Sequence, residues 1–146
     1  MSEATPIRAV TADDRDRVIA LWRVVFPEYA DATRPQRDPT ANFARKLAMN
    51  DGLFWLAEQG GEVIGTAMAG YDGHRGWLYS VGVHPQWRGR GLGRALVQHA
   101  ERALTALGCP KVNLQVLTAK ADAQRFWANL GYREDFVASL GKRLDG

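Results

Sequence analysis

Residues 88–94 read RGRGLGR, so that Gly89, Gly91 and Gly93 stand among Arg88, Arg90 and Arg94. Glycine lets a backbone come close to a ligand with no Cβ in the way, and arginine offers a fork of N–H donors matched to phosphate oxygens. The run follows an apolar, β-rich stretch, WLYSVGV at 77–83, and a His84-Pro85 turn, and it leads into a long helical pattern. A strand, a glycine loop and a helix N-terminus together form an anion site, because the first N–H groups of a helix lack internal partners and sit at the positive end of its dipole. Two phosphate loops are excluded. No lysine followed by Ser or Thr comes after the second glycine, and Arg94 occupies the last glycine position of a G-x-G-x-x-G pattern. A basic surface turn is the alternative that the glycines alone leave open.

The elements needed to position this loop can be read along the chain. IRAV at 7–10 reads as a strand, and Thr11 with Asp14 three residues on as a capping box. Val18, Leu21, Trp22 and Val25 then recur at helical spacing. Asp38-Pro39 reads as a cap and first position of a second helix to about Met49. Between the two helices, 27–38 reads as a polar loop with aromatic content. LFWLAE at 53–58, Gly60-Gly61 and EVIGTAMAGY at 62–71 form a predicted hairpin, and DGHRG at 72–76 turns the chain into 77–83. A helix from about Gly91 to Leu107, closed by Gly108 and Pro110, is followed by a strand, KVNLQVL, at 111–117. A helix at 121–130 stops at Gly131, and the tail YREDFVASLGKRL could add two short strands. The order predicts an α/β domain with a mixed sheet.

Composition bounds the function. At 146 residues the chain is long enough for one domain with a real core. It has no apolar run of about 18 residues, which argues against a membrane span. MSEATPIRAV lacks a basic region followed by an apolar one, so no signal peptide is expected. The lone Cys109 excludes an internal disulfide and a cysteine-rich metal site, and no metal is expected. These features read as a cytoplasmic protein. A net charge of +3 with only one short basic cluster argues against nucleic acid as a partner, although the cluster is large enough for one polyphosphate.

RGRGLG at 88–93 resembles the R-x-x-G-x-G/A signature of the GNAT superfamily of acetyl-CoA-dependent N-acetyltransferases. RFWANLGY at 125–132 resembles the family's second motif, and the order of elements agrees over roughly residues 6–144. YDGHRG at 71–76, GCPK at 108–111 and LGKRL at 140–144 further resemble a bacterial YpeA-like subgroup. The resemblance implies a mostly antiparallel sheet of six to seven strands, flanked by about four helices and splayed between strands 4 and 5. It implies that backbone amides from Arg88, Gly89, Arg90, Gly91, Leu92, Gly93 and Arg94 hold the pyrophosphate of coenzyme A. It also implies that pantetheine pairs with the edge at Val81, Gly82 and Val83, with a backbone N–H near Val81 facing the thioester oxygen. Phe126 or Trp127 either lines the pantetheine channel or packs in the core. A homodimer through the last strands is possible on the same grounds.

Acid–base chemistry departs from relatives resembling the ribosomal-protein N-acetyltransferases. Gln115 stands where they carry a glutamate and Trp127 where they carry a tyrosine, and Lys120 replaces an asparagine. Deprotonating a lysine-like amine at pH 7 costs about 4.6 kcal/mol, against about 1.4 kcal/mol for an α-amine. The sequence therefore favours a low-pKa primary amine or a substitute base. Candidates are Asp72 and His74 in the turn beside the implied acceptor cleft, Tyr79, Glu58 and His84. Each has a plain alternative: turn chemistry for Asp72, His74 and His84, strand packing for Tyr79, solvated charge for Glu58. Tyr29, Asp31, Arg34 and Arg37 lie where relatives close over the acceptor, and the two arginines either meet an acceptor carboxylate or are solvated. Two functions follow: acetyl transfer to an amine of a small molecule or peptide, or an acyl-CoA-binding sensor that has lost catalysis.

Overall fold

A computed structural model describes residues 5–30 and 38–145, so Asp31, Arg34 and Arg37 lie outside the described residues. Two compact units make up the chain, Met1–Leu114 and Gln115–Gly146.

The first unit is a five-stranded sheet in the order β1 (Ile7–Ala9), β2 (Phe54–Gln59), β3 (Glu62–Tyr71), β4 (Gly76–Val83) and β5 (Val112–Asn113). All neighbours are antiparallel except β4 and β5, which run parallel. A parallel pair needs a crossover, here α3 (Leu92–Ala106). α1 (Arg15–Val25) and α2 (Pro39–Met49) precede β2. Asp38 caps α2 by accepting from Thr40 N–H at 2.9 Å, with Pro39 in the first turn as its fixed φ favours. Gly60 and Gly61, both at positive φ, make the tight turn between β2 and β3.

Strand alternation gives the sheet two buried faces. Phe54 and Leu56 of β2 join Val18, Leu21 and Trp22 of α1 and Phe43 of α2 in one aromatic-rich core. Trp22 stacks on Phe54 with ring centres 5.9 Å apart, and Phe43 meets Phe54 edge-on at 5.6 Å. The intervening Trp55 is also buried, edge-on to His99 of α3 at 5.3 Å. On β3 a Cβ at Gly65 would stand 2.9 Å from Leu96 Cδ1, so glycine there lets α3 lie close to the sheet.

The sheet is shorter at its far end than the sequence predicts. Five strands stand among the described residues, not six to seven. Of the predicted strand at 111–117 only Val112 and Asn113 pair, with Gly76 and Trp77. The tail has apolar residues at strand-like spacing, but Phe136, Val137, Leu140 and Leu144 are exposed and no strand forms there. Apolar spacing makes a strand only where an edge supplies hydrogen bonds, and this stretch has no ladder. The strands through which the resemblance implied pairing of two copies are thus absent from the described tail.

In the second unit, α4 (Ala121–Asn129) ends at Gly131, whose φ of 93° closes the helix. Its Trp127 meets Phe126 edge-on at 5.0 Å and Tyr132 at 5.2 Å.

Candidate active site

The end of β4 is where the sheet departs from regularity. Thr66 pairs with Gly82 and Met68 with Tyr79, so Ser80 and Val81 together oppose Ala67. This is a β-bulge, and Ser80 in it takes a left-handed conformation (φ 49°). A buried relay fixes it: Trp22 Nε1–H donates to Thr66 Oγ1 at 3.0 Å, and the Thr66 hydroxyl donates to the Ser80 carbonyl at 2.9 Å. Both Trp22 and Thr66 are fully buried, so the bond between them is closed to water. Gly82 allows the end of α1 to approach, since a Cβ there would stand 2.7 Å from Val25 Cγ1.

β5 pairs with β4 only at Gly76 and Trp77, so from Leu78 to Val83 that edge of β4 has no strand partner among the described residues. The ladder between strands 4 and 5 therefore ends after two residue pairs. The open stretch contains Val81, Gly82 and Val83.

After β4, His84 caps a short 3-10 turn at Pro85–Trp87 by accepting from Gln86 N–H through Nδ1 at 3.2 Å. That bond gives His84 a turn role. Arg88 Nε donates back to the Val83 carbonyl at 3.2 Å, and the Arg90 guanidinium lies 4.7 Å from the centre of the Trp87 ring. Gly89 (φ 77°) and Gly91 (φ 81°) both need positive φ, and a Cβ on either would meet no atom within 4 Å. Gly91 is the N-cap of α3, whose first helical bond runs from Ala95 N–H to the Gly91 carbonyl. The amides of Leu92, Gly93 and Arg94 therefore precede the helix's own bonding and face the loop end. Arg88, Arg90 and Arg94 are exposed, and none has a carboxylate at salt-bridge distance among the described residues. An open, glycine-shaped, cationic concavity at a helix N-terminus fits a diphosphate.

A cleft of about 380 Å³ opens beside the bulge, with Tyr79 and Ser80 of β4 and Met68 of β3 on one side. Tyr29, which precedes α2, and Asn42, Arg45, Lys46 and Met49 of α2 complete it. Tyr79 is 50% exposed, so its ring faces the cleft and does not pack in the core. Burial, and secondarily the charge of Asp72, push its phenol above the ordinary tyrosine range.

The other candidate acid–base groups stand elsewhere. Asp72 Oδ1 accepts the backbone N–H groups of His74 and Arg75, each at 2.8 Å. Those bonds, Arg75's first, hold its carboxyl below the usual range. His74 is exposed in the same turn, and neither residue lines the cleft. Glu58 is no solvated charge. It takes Arg17 at 2.7 Å and Arg8 at 3.2 Å, which hold its carboxyl below the ordinary range. Gln115 belongs to the second unit, where its amide donates to Ser139 Oγ. Phe126 and Trp127 lie half-buried on α4 of that unit. Asn42, Arg45, Lys46, Met49 and Met68 were not singled out from sequence, because only folding brings α2 against β3 and β4.

The sequence profile of the acetyltransferase (GNAT) family matches residues 15–132. The chain belongs to the GNAT acetyltransferase family. Enzymes of this family use acetyl-CoA as co-substrate. The GNAT fold is repeated in several solved structures. Aminoglycoside N-acetyltransferase AAC(6')-Iy in complex with CoA has a TM-score of 0.78 at 20% identity, covering 99% of this chain and 97% of that one. PaiA N-acetyltransferase from Thermoplasma acidophilum, in complex with coenzyme A, has a TM-score of 0.78 at 16% identity, covering 93% and 94%. The ribosomal-protein-S18-alanine N-acetyltransferase from Escherichia coli reaches 0.70 at 22% identity, covering 90% and 79%. At these identities the likeness is one of fold.

Proposed function

We propose that this GNAT-family chain acts in the cytoplasm as a single-domain N-acetyltransferase, moving the acetyl group of acetyl-CoA directly to a primary amine of a small molecule or a peptide N-terminus. One observation carries the proposal: Gly89 and Gly91 stand at positive φ with open space around them, ahead of the unpaired first amides of α3 and among three arginines. In this reading the amides from Arg88 to Arg94 cradle the pyrophosphate of acetyl-CoA. The edge at Val81, Gly82 and Val83, without a strand partner among the described residues, receives the pantetheine, and the resemblance adds Phe126 or Trp127 as a cofactor contact, with core packing as the alternative for both. The resemblance to a YpeA-like subgroup, through 71–76, 108–111 and 140–144, agrees with a small cytoplasmic enzyme of this kind.

Chemistry then falls to few groups. The amine nitrogen attacks the thioester carbon, the C–N bond forms, the C–S bond breaks, and the amine proton leaves to solvent or a base. The Val81 N–H, turned by the bulge, donates to the carbonyl oxygen as negative charge develops there, a contact worth about 3 kcal/mol of barrier. Tyr79 stays protonated at neutral pH and donates to the departing sulfur. Asp72 and His74 belong to the turn before β4, which the Asp72 carboxylate orders by accepting two of its backbone N–H groups. Among the described lining residues there is no carboxylate base, which favours an amine of low pKa.

The test is the heat of binding of CoA and acetyl-CoA to the native chain and to Gly91→Glu, with thiol release followed over α-amines, lysine and polyamines. Tight binding lost in the variant, with release for some amine, supports the enzyme. Binding with no release favours the sensor alternative, which the replacements at Gln115 and Trp127 motivate. No binding refutes the cofactor assignment.

A further inference from the structure

The acetyl-transfer reading leaves the acceptor open, and the cleft beside Tyr79 narrows it. The walls are apolar where the body of a ligand would lie. The Tyr29 ring is fixed by stacking on Trp22 with centres 5.9 Å apart and by an edge contact with Phe26 at 6.2 Å. Met68 is buried beneath, and Met49 on the opposite side is 68% exposed. An exposed thioether lining the same cleft as two tyrosine rings is apolar surface of the kind that marks a binding groove.

Charge is distributed unevenly around those walls. Arg45 and Lys46 line the cleft, and among the described lining residues there is no Asp or Glu. Lys46 is balanced locally: its ammonium lies 2.8 Å from Asp51 and also donates to the Ala69 carbonyl. Arg45 has no such balance. Its guanidinium donates to the neutral Asn42 Oδ1, and no carboxylate stands within salt-bridge distance of it among the described residues. Asn42 Nδ2 in turn donates to the Tyr29 hydroxyl at 2.9 Å, which ties the Arg45 end of the cleft to its aromatic wall. Asp72, the nearby carboxylate that bears on Tyr79, lies outside the lining with its Oδ1 taken by two backbone N–H groups.

We infer that the acceptor is a small primary amine carrying an apolar body and a carboxylate, of the apolar α-amino acid type, with the carboxylate on Arg45 and the body between Tyr29 and the two methionines. A guanidinium with no counter-ion among the described residues is the group that recognises a carboxylate bidentately. A polycationic acceptor fits poorly, because each extra ammonium would enter a cleft whose described lining offers cations and no carboxylate. The contrast is with the aminoglycoside acetyltransferase of similar fold, since an aminoglycoside carries several ammonium groups. The inference rests on the acetyl-transfer reading for its amine, and on the cleft alone for its carboxylate.

Calorimetry on the full chain with CoA present, using L-phenylalanine, L-phenylalaninamide and spermidine as probes, separates the two. Phenylalanine is expected to bind about tenfold or more tightly than its carboxamide, with spermidine weaker than both. Arg45→Gln should bring phenylalanine and the carboxamide within about twofold, while Arg45→Lys keeps part of the preference. The affinity of each variant for CoA reports that the fold is intact. Parity between acid and amide, tighter spermidine binding, an undiminished preference in Arg45→Gln, or no phenylalanine binding at millimolar concentration each overturns the inference. If phenylalanine binds as expected but no amine ever releases thiol, the acetyl-transfer reading fails and the carboxylate site stands.

Discussion

Arginines are used in two opposite ways at the two ends of this sheet. At the β1 end, Arg8 grips Asp14 bidentately at 2.8 and 2.9 Å and reaches Glu58 at 3.2 Å. Arg17 bridges the same two carboxylates at 2.6 and 2.7 Å. Asp14 is buried and also accepts the Thr11 N–H at 2.8 Å, so every charge in this group has its partner inside the protein. Arg88, Arg90 and Arg94 at the β4 end have no carboxylate among the described residues, only a carbonyl and an indole ring. Two Arg-rich groups of similar charge count thus differ in what answers the charge. The closed group holds β1, α1 and β2 together, and the open one is left for an anion.

Breaking the closed group should have the largest effect. Asp14→Ala takes the one buried carboxylate from both guanidinium groups and leaves them only the partly exposed Glu58, a loss of about 2–3 kcal/mol once solvent screening of the arginines is counted. The expected outcome is a large fall in Tm with the affinity for CoA kept wherever the variant is folded. The same group sets an acid limit. The Arg8 guanidinium, and after it the Thr11 N–H and hydroxyl, hold the Asp14 carboxyl far below the usual carboxylate range. A carboxyl with a depressed folded-state pKa contributes stability in full above its unfolded value, near 4, and loses it as pH falls below that. Denaturant titrations at pH 7 and pH 3 should show this loss for the native chain and much less of it for Asp14→Asn.

The same contrast holds for two polar groups on neighbouring strands, and testing them sharpens it. Tyr79 opens to the cleft, so Tyr79→Phe should lower kcat about 100-fold while Tm and CoA affinity stay within error. Thr66 is enclosed, and Thr66→Val leaves the buried Trp22 N–H and Ser80 carbonyl without partners. About 2 kcal/mol of stability should go, and kcat should fall with it as the bulge loses its brace. The smallest effect belongs to single loop arginines. Arg90→Gln or Arg94→Gln should weaken CoA binding by only a few-fold to tenfold, with a shallower salt dependence and an unchanged Tm.

What could be read from sequence was local. The glycine loop, the Asp38-Pro39 cap and the Gly60-Gly61 turn each depend on residues within a few positions, and the structure has them where they were expected. The Thr11–Asp14 pairing was legible for the same reason, but its burial under Arg8 and Arg17 was not. Glu58 read as a solvated charge because its partners lie 50 and 41 residues away. The cleft was illegible on the same ground. Arg45 and Lys46 look like ordinary exposed helix residues until α2 sets them opposite Tyr79. The tail misled in the other direction, since alternating apolar residues announce a strand whether or not an edge exists to receive it.

The central claim is that the open arginine loop, and not the closed cluster, receives the diphosphate of CoA. A titration of the isotopically labelled chain with CoA, followed through its backbone amide resonances, tests it with no substitution. The account predicts the largest shifts at Gly89 through Arg94, smaller ones at Val81 to Val83, and none at Arg8, Asp14, Arg17 and Glu58. Shifts centred outside the loop, or a loop unmoved at saturating CoA, would contradict it.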